Sequence, residues 1–140
     1  MAANTRIATA VQILCVISYR NNVATSDDIA QSLRTNPAVV RRLLKDMERA
    51  GFVSLRPGKG GGVHLVTPPD SITLDQVFRA IETDGAIFAL RPGGNPRCPV
   101  NRGMKRLLPR LFEQVGTAVS ATLGKTTIAD LMEDLADARS

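Results

Sequence analysis

Between Pro37 and Ala50 two patterns of opposite character share one stretch of chain. Val40, Leu43, Leu44 and Met47 recur at the spacing that gathers side chains on one face of a helix. With about 100° between successive residues, Ala38, Arg42, Lys45 and Arg49 point the opposite way, with Arg41 at the flank. Such a helix must lay its aliphatic side on a core and leave its basic side free. Its ends are marked as well. Pro37 falls in the first turn, where a missing N–H costs nothing, and Gly51 offers the left-handed stop.

The partners of that aliphatic side follow from composition. Aromatics make up 4% of the 140 residues, with no Trp and one Tyr, so the core must come from Leu, Ile, Val and Ala. Facing helical stripes assemble such a core most readily. Ile7, Ala10, Val11, Leu14 and Ile17 predict a first helix over 5–19, closed by Asn21-Asn22. Thr25 then reads as a cap followed by Asp27 and Asp28, acids that suit a helix N-terminus, with Ile29, Ala30 and Leu33 as the buried stripe. Arg34-Thr35-Asn36 is a tight break before the bipartite third helix. After Gly51, the runs 52–56 and 63–66 flank Pro57-Gly58-Lys59-Gly60-Gly61-Gly62, a hairpin with a flexible basic tip. Thr73 and Gln76 form a capping box for a fourth helix carrying Leu74, Val77, Phe78 and Ile81. Residues 85–98 are turn-rich. Beyond them Val100, Met104, Leu107, Leu108, Leu111, Val115, Ala118, Val119 and Thr122 keep to one face of a long helix, and Thr126-Thr127 caps a short last one.

The reading is therefore mainly α with a small β-hairpin: a compact unit over 1–84, a linker over 85–98, and an appendage over 99–140. No run approaches the ~18 apolar residues of a membrane span, and the N-terminus lacks a signal-peptide layout. Cys15 and Cys98 stand far apart and make no disulfide framework, which fits a reducing cytoplasm. One histidine, no metal-ligand spacing and no nucleophile-plus-base pair argue against an enzyme.

The net charge of +5 is confined to one place. Residues 34–60 hold seven basic side chains against Asp46 and Glu48, while the rest of the chain carries eleven of each sign. A ridge of this kind suits a polyanion, and the order helix, helix, tight turn, basic helix, glycine-tipped hairpin is that of a winged helix-turn-helix on duplex DNA. The major groove admits a helix, and small residues at its start let it approach base edges. Asn36, Ala38 and Val39 occupy that start. Arg41 and Arg42 can each read guanine or hold phosphate, and Lys45 and Arg49 lie deeper, toward the backbone. In the wing, Arg56 and Lys59 supply charge, while Gly60 and Gly61 permit close approach.

Thr35-Asn36-Pro37-Ala38-Val39-Val40-Arg41-Arg42-Leu43-Leu44, then Ala50-Gly51-Phe52-Val53, Gly60-Gly61-Gly62 and Ile72-Thr73-Leu74, resemble the Rrf-two family of bacterial winged-helix regulators. The likeness covers about residues 5–85 and continues in Cys98-Pro99-Val100. It implies dimeric DNA binding, usually repression, with the long helix crossing its partner. It carries recognition contacts onto Asn36, Ala38, Val39, Arg41 and Arg42, and wing contacts onto Arg56 and the glycine tip. Many members place arginine directly before the wing's first glycine; here Pro57 stands there and Arg56 precedes it.

The long helix, about 35 Å, has a stripe too long for the small unit to cover, which points to a homodimer. Several relatives hold an iron–sulfur cluster on three cysteines before this helix. Here only Cys98 is present, too few for a cluster, so no cofactor is expected. Cys98 stands at an expected helix cap among six basic residues over 91–110, where helix dipole and cations favour a thiolate. It is either a sensor of oxidants or electrophiles or a packed thiol. Besides a DNA-binding repressor, a protein-interaction module and a small-ligand-responsive regulator remain open.

Overall fold

The computed structural model describes residues 4–82 and 87–138. The elements are α1 (Arg6–Tyr19), α2 (Ser26–Leu33), α3 (Pro37–Arg49), β1 (Val53–Arg56), β2 (Gly62–Leu65), a 3-10 turn at Pro69–Ser71, α4 (Leu74–Ile81), α5 (Pro99–Leu123) and α6 (Ile128–Asp137). The expected boundary at 84/85 lies outside the described residues.

Side-chain caps start four of the helices. Thr25 with Asp28, Thr73 with Gln76 and Thr127 with Asp130 form reciprocal capping boxes, and the Asn36 side chain accepts from the Ala38 N–H at 2.8 Å. Each cap satisfies amide donors that a helix start leaves orphaned, worth about 1 kcal/mol apiece. Asn21, Asn22 and Arg34 take left-handed backbone angles where α1 and α2 end. Asparagine adopts that conformation more readily than most side chains, which is why the Asn pair serves as a stop.

The core is one aliphatic cluster. Ile13, Leu14 and Ile17 of α1, Ile29 of α2, the Val40, Leu43, Leu44 and Met47 stripe of α3, and Val77 and Ile81 of α4 are all buried together. Phe52, Val53 and Val63 seal it from the hairpin side. The hairpin is antiparallel, with Val53 opposite Leu65 and Arg56 opposite Gly62. Its root is tied down on two sides. The Val63 N–H donates to the Ala24 carbonyl at 2.8 Å and the Leu65 N–H to Asn22 Oδ1 at 2.8 Å. Toward α3, the Leu55 N–H donates to Glu48 Oε2 at 3.1 Å.

The two C-terminal helices go separate ways. The grouping of 99–140 places α6 with the long helix, whereas its packing is on α1 and the 3-10 turn. Ile128 is fully buried in the main cluster, its N–H donates to the Ile72 carbonyl at 2.9 Å, and the Leu74 N–H donates to Thr126 at 3.0 Å. By contrast α5 has no buried residue along its 25 positions. It touches α4, where Arg79 donates to Ser120 Oγ at 3.1 Å, and the 87–97 segment, where Phe88 meets Phe112 with ring centroids 5.6 Å apart. The helix runs through Pro109, which is exposed. Among the described residues no helix is long and apolar enough to cross a membrane.

Candidate nucleic-acid interface

The turn between α2 and α3 sets the site. Arg34 closes α2 in the left-handed region, Thr35 is half-buried, and the Asn36 cap aims the first turn of α3 outward. With Asn36 Oδ1 accepting from Ala38, both amide hydrogens of that side chain and the second lone pair of Oδ1 are left for a ligand. Ala38 and Val39 are exposed beside it. The four buried residues of α3 turn its basic side to the surface, so Arg41, Arg42, Lys45 and Arg49 are all exposed.

These four cations are not equivalent. Arg49 is held by Asp46 one turn back at 3.0 Å, and Arg41 reaches Asp27 of α2 at 3.8 Å. The Arg41 pair is exposed on both sides, worth at most about 1 kcal/mol and readily exchanged for a phosphate, while Arg49 is exposed but its partner Asp46 is half-buried. Among the described residues neither Arg42 nor Lys45 has a carboxylate within ion-pair distance, so these two present uncompensated charge. Asp27 was legible as a helix-start acid, but its second role, on a cation of the next helix, was not.

The wing stands next to α3. Arg56, Lys59 and Gly60 are exposed at its end and tip, and Gly61 is half-buried. A side chain on Gly61 would collide with the Arg56 carbonyl, and one on Gly62 would come within 2.7 Å of the Ala24 carbonyl. The tip therefore requires small residues for its shape and not only for mobility. Between α3 and the wing lies a cleft of about 460 Å3, bordered also by Thr25 and Ser26 at the start of α2. Thr25 read as a helix cap from the sequence, but neither residue read as part of the site. The available signal was their place at the N-terminus of α2, the helix just before the recognition helix. His64 is half-buried on β2, and its Nε2 makes no protein hydrogen bond.

Cys98 is the cap residue of α5, half-buried, with Pro99 at the first helical position. Its side chain makes no capping bond; its N–H donates to the Asn95 carbonyl at 3.1 Å. Cys15 packs against the core, and burial pushes its thiol up from the ordinary value. Among the described residues no three His, Cys, Asp or Glu side chains gather as metal ligands. A lone thiol at the head of α5 does not fit an iron–sulfur cluster, which ordinarily needs four ligands.

With this geometry in view, similarity to known proteins is informative. Residues 3–134 match the Rrf2 family model (the Rrf-two family above), described as an iron-dependent transcriptional regulator. The chain is 35% identical over 132 residues to YwnA of Bacillus subtilis, by name an HTH-type transcriptional regulator, covering 94% of this chain and 98% of that one. It superposes on a crystal structure described as a DNA-binding protein with TM-score 0.74 and 33% identity, covering 91% and 98% of the two chains. CymR, the global cysteine regulator of B. subtilis, shares the fold at TM-score 0.67 and 22% identity, covering 95% of this chain and 97% of its own. A helix-turn-helix whose second helix is basic outside and aliphatic inside, followed at once by a tethered glycine-tipped wing, is thus matched by transcriptional regulators over most of the chain. The chain belongs to the Rrf2 family of DNA-binding transcriptional regulators.

Proposed function

We propose that the chain is a repressor that binds its operator as a homodimer and answers thiol oxidants or electrophiles through Cys98. The observation that carries the dimer is α5. Its apolar residues Val100, Met104, Leu107 and Leu111 are exposed, at 67%, 38%, 43% and 53%. A contiguous apolar stripe of this length on a small protein marks an association surface. Two-fold pairing through it sets two α3 helices on successive major grooves, about one DNA turn apart.

In this reading Ala38 and Val39 meet base edges with Asn36, Arg42 reads a base or clamps a phosphate, and Thr35, Arg41, Lys45 and Arg49 hold the backbone. Arg56, Lys59, Gly60 and Gly61 bring the wing to the adjacent groove. Cys98 supports the sensing step by its position: a change at the head of α5 is a change at the element assigned to dimerisation. DNA fragments selected from the genome by the purified chain supply the operator, and affinity is then read at two salt concentrations. Steep loss with rising salt is expected. Arg42→Ala should weaken binding by about tenfold with the dimer unchanged; equal affinity would remove Arg42 from the interface. Cys98→Ser should abolish release from the operator by peroxide, and a variant that still responds would end the sensor role.

A further inference from the structure

The cleft between α3 and the wing carries a lining that a phosphate contact does not call for. Leu55 forms its inner wall together with the little surface that Leu44 and Val63, 1% and 3% exposed, still show, and Arg41, Lys45 and Arg56 form its rim. The apolar residues belong to, or pack on, the main core, whereas all three cations are exposed. No carboxylate is among the lining residues. At about 460 Å3 the space lies within the roughly 300–1,000 Å3 of small-molecule sites. It is also preformed: the Glu48 and Ala24 hydrogen bonds to the backbone of Leu55 and Val63 fix the wing at its distance from α3.

A duplex phosphate has charge for the rim but nothing for the wall. A neutral apolar compound gains from the wall and leaves the cations unused. A molecule with a carboxylate at one end and a compact apolar body at the other satisfies both. We propose that this cleft binds a small amphipathic carboxylate, and that its occupancy excludes DNA. The second half rests on the DNA interface assigned above, because the same three cations are given there to DNA, Arg41 and Lys45 to its backbone and Arg56 to the groove beside the wing. The binding half stands on the cleft alone. This makes the DNA face itself a point of control, independent of Cys98 and of α5.

The probe is 2-naphthoate, titrated into the full-length chain by calorimetry, with 2-naphthamide and acetate as partners that keep only the body or only the charge. One naphthoate per chain is expected, with naphthamide and acetate each at least about tenfold weaker. Lys45→Ala combined with Arg56→Ala changes two exposed side chains, spares the core, and should weaken naphthoate by about tenfold, at up to ~1 kcal/mol per exposed charge pair. Cys98→Ser should bind it as the parent chain does. Duplex DNA at low salt should displace the naphthoate. Absent binding, equal affinity for naphthamide, or an unaltered double variant would overturn the site. Simultaneous binding of naphthoate and DNA would overturn the exclusion. Failure of the free chain to bind DNA, with naphthoate binding still dependent on Lys45 and Arg56, would instead sink the DNA interface and leave the site standing.

Discussion

The third and fifth helices are written in the same alphabet and end in opposite situations. Both alternate an aliphatic stripe with basic residues. In α3, 13 residues long, four side chains are fully enclosed. In α5, 25 residues long, none is. The difference lies in what surrounds them, since α1, α2 and α4 all pack on α3, whereas among the described residues α5 meets α4 and the 87–97 segment, leaving Leu108, Val115 and Val119 half-buried and Val100, Met104, Leu107 and Leu111 exposed. Amphipathicity announces that a partner exists and is silent about which. For α3 the partner is the same chain; for α5 the proposal makes it a second copy.

The sharpest way to break this contrast is to remove the same atoms from each helix. Leu44→Ala should cost about 2–5 kcal/mol in urea unfolding, because the core closes only partly around the lost methyls. Leu111→Ala removes an identical side chain from an exposed site and should shift the stability of the isolated chain by no more than about 0.5 kcal/mol. Comparable losses in the two would mean that α5 is enclosed by its own chain and has nothing left to offer a partner. The next test addresses association directly. Leu107→Glu with Leu111→Glu places two charges on the stripe and should weaken self-association by at least about a hundredfold, since an unpaired charge in an apolar interface costs several kcal/mol. Sedimentation at matched concentration reads this, and an unchanged dimer would move the interface elsewhere.

What could be read from the chain and what could not divides along the same line. Local signals translated directly. Thr25, Thr73 and Thr127 cap where their hydroxyls precede an Asp or Gln at the right spacing, Pro37 opens α3, and Gly51 takes φ +85° after it. The exposed face of α3 followed from angular spacing alone. Features joining distant segments did not appear. The stripe of α6 gave no hint that Ile128 enters the core of the first unit, because periodicity names a face and not its neighbour. Asn22 read as a helix terminator, and it also holds β2 through its side chain. Glu48 looked like dilution of a basic stretch, yet it fastens the wing to α3. Within the interface, charge counting treated Arg49 and Lys45 alike, and only three-dimensional neighbours show that one is paired with Asp46 while the other is not.

The position of α6 sharpens the comparison at smaller cost. Thr127→Ala removes the hydroxyl that accepts the Asp130 N–H at 3.0 Å. Because α6 is part of the enclosed unit, the loss of about 1 kcal/mol should appear in global unfolding, with no change in self-association. Fraying confined to α6, read by amide exchange without a shift of the global midpoint, would show that α6 is an appendage after all.

The smallest effect expected is a pH dependence confined to one side of the contrast. In the α2 capping box the Thr25 N–H donates to Asp28 Oδ2 at 3.0 Å. That bond, then the Thr25 hydroxyl, and then Arg20 hold the Asp28 carboxyl below its ordinary value. A carboxyl lowered in the folded chain binds its proton less readily there than when unfolded. Its contribution is therefore complete at neutral pH, begins to fade as pH drops through the ordinary carboxylate range near ~4, and is gone below the lowered folded value. Asp28→Asn keeps the shape of the box without the charge. It should be slightly less stable than the parent at neutral pH and converge on it in acid. The cap of α5 makes no side-chain bond and its first turn holds no acid, so acid has no equivalent group to titrate there. Acid should thus loosen the start of α2, beside the recognition helix, before it alters association through α5. If sedimentation showed the dimer parting at a higher pH than the one at which α2 amides lose protection, the two regions would be coupled rather than separate.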